Sequence, residues 1–114
     1  MVRIYHNNRC TKSRATLALL EARGDDIEVI NYLDNPPTAA ELAVLLKQLG
    51  MTARALLRTG EAEYQALGLA DQSLGESALI AAMVAHPKLI ERPIVVANGK
   101  AAIGRPPETV LAIL

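Results

Sequence analysis

The spacing of apolar and polar residues divides the first third of the chain into a strand, a helix and a second strand. A short apolar run over residues 2–5 predicts the first strand, and the polar segment after it predicts a loop. Apolar residues then recur at helical spacing, as at Leu17 and Leu20, until Gly24. Residues 27–32 predict the second strand. A strand-helix-strand unit of this length favours a parallel pair with a right-handed crossover.

Helix-capping residues mark where the helices begin. Thr11 or Ser13 is predicted to cap the first helix. Thr38, followed three residues later by Glu41, has the pattern of a capping box, and a stripe of leucines continues that helix to Gly50. Three further helices are predicted over residues 52–58, 63–67 and 76–86. The middle of the chain is therefore a helical insertion.

The last part of the chain predicts a β-hairpin followed by a helix. Residues 93–97 and 100–103 are β-prone and flank Asn98-Gly99, the strongest two-residue hairpin signal, and residues 109–114 predict the helix. The complete order predicts an α/β thioredoxin-like fold, with a mixed four-stranded sheet and a helical insertion before the C-terminal hairpin. With no linker or repeat, residues 1–114 are expected to form a single domain.

Composition narrows the class of protein. The chain has 114 residues, of which 51% are hydrophobic, enough to bury a core without a metal or a disulfide. It has three Tyr, no Phe or Trp, and a net charge of zero, so nucleic acid is not an expected partner. No apolar stretch approaches the roughly 20 residues of a membrane span. A single cysteine and no signal-peptide pattern favour a cytoplasmic location.

That single cysteine, Cys10, lies where the first loop meets the first helix, with Arg9, Lys12 and Arg14 around it. The free N–H groups of a helix N-terminus and nearby positive charge favour the thiolate, the reactive form of cysteine. Ser13 can place a hydroxyl over the same turn, which makes it a candidate substrate-binding residue. The pattern predicts an activated thiol facing an anion-binding turn; the alternative is a small buried cysteine without chemistry.

The two histidines are interpreted differently. His6 lies four residues before Cys10 and is a candidate for tuning the thiol or for holding the loop by hydrogen bonding. A loop histidine with no role in chemistry fits its spacing equally well. His86, at a predicted helix end before Pro87, is better explained as a favourable charge or cap at that end.

Three arginines stand where predicted helices and strands begin or end, namely Arg58, Arg92 and Arg105. Each alone would be an ordinary surface residue. In a thioredoxin-like fold, however, the residue before the third strand is next to the thiol, and the Arg92-Pro93 bond is a candidate cis peptide. Arg105 would follow the neighbouring strand to the same end of the sheet. Several guanidinium groups around a thiolate would suit a tetrahedral oxyanion.

Six ordered segments together resemble the glutaredoxin-linked arsenate reductase family, over nearly the whole chain. They are His6-Asn7-x-x-Cys10-x-x-Ser13-Arg14, Tyr32-Leu33-Asp34-Asn35-Pro36-Pro37, Arg54-Ala55-Leu56-Leu57-Arg58, His86-Pro87, Arg92-Pro93-Ile94-Val95 and Arg105-Pro106. The resemblance implies a thioredoxin-like fold and the reduction of arsenate to arsenite, with glutathione as co-substrate and glutaredoxin as partner. It implies no metal and no bound cofactor.

The resemblance also implies a role for each matching residue. Cys10 would be the nucleophile that attacks arsenic, and His6 would help to keep it ionised. Arg58, Arg92 and Arg105 would bind the oxyanion and the arsenic-thiol intermediates. Glutathione would then attack the adduct, and glutaredoxin would resolve the mixed disulfide. The lone cysteine agrees with this scheme, because a protein with no second thiol needs an external one.

Two features of the sequence keep alternatives open. The chain has Asn8 and Thr11 where the family often has a proline and a small residue, which affects the expected loop geometry and rate.

Spx-type regulators share the fold and bind RNA polymerase, but they typically carry a Cys-x-x-Cys switch, whereas this chain has Ser13. A monothiol oxidoreductase with another substrate is the third possibility, since nothing in the sequence distinguishes arsenate from other small oxyanions or from a disulfide.

Overall fold

A computed structural model describes residues 1–114, which divide into two compact units. The first unit contains residues 1–35 and 92–114, and the second contains residues 36–91. The second unit is thus inserted between two halves of the first. A single domain over residues 1–114 stays a prediction.

The first unit is built on a mixed four-stranded sheet. Its strands are β1 (Val2–His6), β2 (Ile27–Asn31), β3 (Ile94–Ala97) and β4 (Lys100–Ile103). The order across the sheet is β2-β1-β3-β4, with β1 parallel to β2 and antiparallel to β3, and β3 antiparallel to β4. The predicted sheet and its thioredoxin-like topology are confirmed.

The core of this unit lies between the sheet and two helical segments. Ile4 on β1 and Val95 on β3 are paired neighbours and fully buried. They pack with Leu20 of helix α1 (Thr11–Arg23) and with Val110 near the C-terminus. Complete burial of such a side chain contributes about 1.5–3 kcal/mol, so this cluster fixes α1 against the sheet.

The N-cap of helix α1 lies one residue before Thr11 and three residues before Ser13, the two predicted caps. Cys10 is its N-cap residue, with extended backbone angles of φ −93° and ψ 122°, and its carbonyl accepts from the Arg14 N–H. Neither Thr11 nor Ser13 caps the helix, so that prediction is wrong. The reason is that the Ser13 hydroxyl is engaged by the preceding loop, where it accepts from the Asn7 N–H. The helix ends at Gly24 in the left-handed conformation (φ 78°), as predicted.

The hairpin of β3 and β4 turns through Asn98 (φ 54°) and Gly99 (φ 73°), the two positive φ values that a two-residue turn of this kind requires. The helix predicted over residues 109–114 is instead a 3₁₀-helix over Pro107–Ile113. Three residues per turn place Val110 and Ile113 on one side, and both pack against the core.

The second unit is helical. It contains α2 (Ala39–Leu49), α3 (Ala53–Leu56), α4 (Ala62–Ala66), α5 (Glu76–Ala85) and a short 3₁₀-helix (Pro87–Leu89). The capping box at α2 is present, because the Glu41 N–H donates to Thr38 Oγ1 (3.1 Å) and the Thr38 N–H donates to Glu41 Oε1 (2.9 Å). Helix α3 is shorter than predicted, because Leu57 pairs with Ile90 in an antiparallel bridge. None of the helices combines the length and apolar character needed to cross a bilayer.

Candidate active site

Cys10 lies at the N-terminus of α1, and the residue is 8% exposed. Burial raises the pKa of this thiol, but hydrogen bonds from the backbone of Ser13 and Lys12 lower it. The positive charge of Arg92 and a hydrogen bond from Arg105 lower it as well, and the resulting pKa lies below the ordinary cysteine value. The site therefore favours the nucleophilic thiolate.

The sheet topology brings two arginines to this thiol. Arg92 precedes β3 and Arg105 follows β4. Because these strands are antiparallel and Ile94 pairs with Ile103, the start of β3 and the end of β4 meet at one end of the sheet. The last residues of β1 pair with the start of β3, so the loop carrying Cys10 leaves the sheet at that same end. Residues almost a whole chain apart in sequence thus become neighbours.

Arg105 makes the direct contact. Its Nη1 lies 3.8 Å from Cys10 Sγ and also donates to the backbone oxygen of Arg92 at 3.4 Å. Both arginines are followed by proline, and both the Arg92-Pro93 and the Arg105-Pro106 peptide bonds are cis. The first of these was predicted from the sequence; the second was not. The arrangement places positive charge and N–H donors around the sulfur, where an anionic substrate would meet it.

The backbone at Gly104, the residue before Arg105, lies unusually close to Thr16 and Pro93. The sequence did not predict this approach, which positions Arg105. A Cβ atom at Gly104 would collide with Thr16 Oγ1 and would lie 2.9 Å from Pro93 Cγ. Only glycine lets the end of β4 approach α1 this closely. Thr16 is buried and donates to Lys12 O at 2.8 Å, and its hydroxyl lies 3.5 Å from Gly104 O. A glycine beside a strand end is too common in sequences to signal such packing.

Arg58 belongs to the second unit, where its guanidinium group has partners of its own. Its Nη1 lies 2.8 Å from Glu61 Oε1 and donates to Lys88 O at 3.2 Å. The predicted approach of Arg58 to Cys10 stays a prediction. His86 is the C-cap residue of α5 in the same unit, in agreement with its interpretation as a residue at a helix end.

His6 and Ser13 are both buried and contact each other. Ser13 Oγ lies 2.6 Å from His6 Nδ1 and accepts from the Asn7 N–H at 3.0 Å. The Ser13 hydroxyl is therefore occupied by the loop, and it is the backbone of Ser13 that donates to the Cys10 sulfur. Binding of substrate by the Ser13 hydroxyl stays a prediction.

An open pocket of about 310 Å³ adjoins these residues. Its lining consists of His6, Asn7, Asn8, Arg9, Asn31, Leu33 and Asp34. The Arg9 and Asp34 side chains give it one charge of each sign. No group of three or more His, Cys, Asp or Glu side chains is arranged to hold a metal ion. The chemistry that the arrangement at Cys10 offers is that of a thiol beside the cationic groups of Arg92 and Arg105.

We expect the Cys10 thiol of the native protein to be alkylated by iodoacetamide with a pH midpoint below the ordinary cysteine value of about 8.5. Because the pKa is lowered in the folded state, the thiolate stabilises the fold above the unfolded pKa. This stabilisation is lost as the pH falls through the folded pKa. The control is the same titration in denaturant, where the midpoint should return to the ordinary value. Identical native and denatured midpoints would contradict an activated thiol.

Comparisons with known proteins identify the family of the chain. A model of the ArsC family matches residues 5–113. The chain is 62% identical over 114 residues to "Uncharacterized protein YfgD" of Escherichia coli K12, covering 99% of this chain and 96% of that protein. It is 50% identical over 114 residues to "Arsenate reductase" of Neisseria meningitidis serogroup A, covering 99% and 97%.

The solved structures show the same relationship. The structure of "Arsenate reductase from Vibrio cholerae" superimposes with a TM-score of 0.96 at 56% identity, covering 99% of this chain and 97% of that one. The family model, the relatives and the fold all span nearly the full length of the chain. The protein therefore belongs to the ArsC family of thioredoxin-like proteins.

Proposed function

We propose that this protein reduces arsenate to arsenite, with the Cys10 thiolate as nucleophile and with glutathione and glutaredoxin as reductants. The observation that carries the proposal is the contact between Arg105 Nη1 and Cys10 Sγ (3.8 Å), with Arg92 adding positive charge at the same thiol. A tetrahedral oxyanion entering this site meets the attacking sulfur and the cationic donors together. Relatives named arsenate reductase at 43–50% identity support the same substrate.

The reaction begins with nucleophilic attack. The Cys10 thiolate attacks arsenic, a sulfur-arsenic bond forms, and one arsenate oxygen takes up protons and leaves as water. Arg92 and Arg105 neutralise the charge of the remaining oxygens, and Arg58 would add a third guanidinium group. The lowered pKa of the thiol increases the share of the reactive thiolate at a given pH.

The electrons come from two thiols. The glutathione thiolate attacks the Cys10 sulfur of the adduct, and the sulfur-arsenic bond breaks with its electron pair left on arsenic. Arsenic is thereby reduced from the +5 to the +3 state and leaves as arsenite after protonation. The product on the protein is a disulfide between Cys10 and glutathione. Glutaredoxin then attacks the glutathione sulfur and releases the Cys10 thiolate.

The lone thiol supports an external reductant. Cys10 is the only cysteine, and Ser13, three residues later, cannot form a disulfide with it. The protein therefore has no internal route from the mixed disulfide back to the thiol. Dependence on glutathione is also the basis for proposing a cytoplasmic location, where that thiol pool is kept reduced.

A coupled assay tests the proposal. Purified protein, arsenate, glutathione and glutaredoxin are incubated with glutathione reductase, and NADPH oxidation and arsenite are both measured. We expect arsenite in proportion to NADPH consumed, and little turnover when thioredoxin and its reductase replace the glutathione system. Efficient turnover with thioredoxin would refute glutathione and glutaredoxin as the reductants but would leave the proposed arsenate reduction standing. Reduction of a glutathione mixed disulfide without arsenate turnover would favour a monothiol oxidoreductase, and inactivity in both assays would favour a partner-binding regulator.

A further inference from the structure

The open pocket beside the Cys10 loop lies at the carboxyl ends of the two parallel strands. β1 and β2 pair in parallel with His6 opposite Asn31, so the loops that follow them leave the sheet side by side. Residues of both loops line the pocket, which has a volume of about 310 Å³ and contains neither Arg92 nor Arg105 in its lining. In open α/β sheets, ligands bind outside the carboxyl ends of the strands, and this volume is at the lower end of the usual size of ligand sites.

Hydrogen bonds hold both loops in place. In the first loop, the side-chain oxygen of Asn7 accepts from the Arg9 N–H at 3.0 Å. In the second, Asn31 O accepts from the Asp34 N–H at 3.0 Å and from the Asn35 N–H at 2.9 Å. The pocket is therefore formed before a ligand arrives, which lowers the entropic cost of binding.

Two side chains of opposite charge line this pocket without pairing with each other. Arg9 and Asp34 are both exposed, and no ion pair joins them. The hydrogen bonds just described use only their backbone N–H groups, so the guanidinium and the carboxylate are free to bind a ligand. Leu33 adds an exposed apolar surface to the same lining. A matching ligand has a carboxylate, an ammonium group and a short apolar segment beside them.

The γ-glutamyl end of glutathione has this chemistry. One carbon carries its α-carboxylate and its α-ammonium group, and two methylene groups follow. Arg9 can donate two parallel bonds to the carboxylate, Asp34 can accept from the ammonium group, and the methylene groups can rest on Leu33. Arsenate has no cationic group, and the Asp34 carboxylate would repel it. The pocket thus fits the reductant rather than the oxyanion.

The pocket is close enough to Cys10 for a bound glutathione to reach the thiol. Arg9 directly precedes Cys10, so their Cα atoms are about 3.8 Å apart. The Cys10 N–H donates to Asn7 O at 3.0 Å, a turn that keeps Cys10 beside the loop lining the pocket. An extended tripeptide spans about 10 Å. One end of glutathione can therefore lie in the pocket while its sulfur meets the sulfur of Cys10.

We infer that this pocket binds the γ-glutamyl end of glutathione, with Arg9 on its carboxylate and Asp34 on its ammonium group, and so directs the glutathione sulfur to Cys10. The inference rests on the proposed function for the choice of glutathione as reductant. It also gives a role to residues 33 and 34, which belong to a segment of the family resemblance that had none.

The test is the reaction of Cys10 with glutathione disulfide, which needs no arsenate. The Cys10 thiolate attacks one sulfur, a disulfide between Cys10 and glutathione forms, and the other glutathione leaves as its thiolate. The rate constant, measured by mass spectrometry, is divided by that for bis(2-hydroxyethyl) disulfide, which carries no charge, so that any change in the thiol itself cancels. Arg9→Met and Asp34→Asn should each lower this ratio about threefold to fivefold, the effect of one exposed ion pair.

Acetylating both ammonium groups of glutathione disulfide identifies the partner of Asp34. Acetylation should lower the ratio for the wild-type protein and for Arg9→Met, but it should change little for Asp34→Asn, which has already lost the carboxylate. The matched controls are Arg23→Met and Asp25→Asn, which break an ion pair of 3.0 Å at the other end of α1 and should leave the ratio unchanged.

Three results would overturn the inference. The first is an unchanged ratio in both Arg9→Met and Asp34→Asn. The second is a higher ratio in Asp34→Asn, which would show that only the net charge near the thiol matters, since glutathione disulfide is an anion. The third is an equal effect of acetylation on the wild-type protein and Asp34→Asn. If the ratios change as expected but arsenate is not reduced, the proposed function alone is refuted; if arsenate is reduced but the ratios do not change, the pocket assignment alone is refuted.

Discussion

Replacing Cys10 by serine is expected to abolish arsenate reduction and leave the fold intact. An alcohol is not ionised near neutral pH, so the variant has no nucleophile to form a bond with arsenic. The rate of arsenite formation should fall at least about a thousandfold, to the level of the uncatalysed reaction. The measurement is arsenite production in the coupled glutaredoxin assay.

The position of Cys10 means that serine can replace it without destabilising the fold. Cys10 is the N-cap residue of α1 but makes no side-chain capping bond, whereas serine is among the best N-cap residues. We therefore expect the thermal midpoint of Cys10→Ser to equal or exceed that of the wild-type protein. Cys10→Ala is the matched control, equally inactive but without the added cap. Appreciable arsenite formation by either variant would eliminate the thiolate mechanism.

The second large effect is expected at Arg105. Arg105→Ala removes the guanidinium group that lies 3.8 Å from Cys10 Sγ, and with it the charge-assisted hydrogen bond to the oxyanion that we propose. Such a bond contributes about 1.5–3 kcal/mol, so kcat/KM for arsenate should fall roughly tenfold to a hundredfold. Arg105→Lys should recover little of the loss, because an ammonium group cannot reproduce two parallel bonds to one oxyanion.

The pH dependence of kcat/KM shows how much of that loss is caused by the change in the pKa of the thiol. Arg105 lowers the pKa of Cys10, so its removal raises that pKa and depletes the thiolate at neutral pH. The loss of kcat/KM in Arg105→Ala should therefore become smaller as the pH is raised. At high pH only the part of the loss that is due to weaker substrate binding should remain. Arg3→Ala is the matched control, because Arg3 is exposed on β1 and pairs with Glu28. An Arg105→Ala enzyme with wild-type kcat/KM at every pH would exclude Arg105 from the site.

The fold was largely predictable because its signals are local. The capping box at Thr38 and Glu41 and the Asn98-Gly99 turn are each read from adjacent residues, and both form as predicted. The C-terminal 3₁₀-helix was not predictable, since its shape follows from where Val110 meets the core. A short segment has too few residues for its helical period to be read from sequence.

The sequence predicted which chemical groups form the candidate site but not how they contact one another. Cys10 and Arg105 were identified by residue type and by their places at element ends, and the topology brings them together. The link between His6 and Ser13 was not predicted, because the spacing does not show which way a hydroxyl points. The approach of Gly104 to Thr16 crosses 88 positions of sequence and leaves no local signal.

The central place of β1 in the sheet has a consequence for a chain emerging from the ribosome. β1 acquires its parallel neighbour β2 within the first 31 residues, but its other edge stays open until β3 at residues 94–97 has been made. An unpaired edge with buried-type residues such as Ile4 is prone to associate with other strands. Cys10 is likewise synthesised long before Arg92 and Arg105, so the thiol of the nascent chain lacks these two contributions to its lowered pKa until the final hairpin has been made.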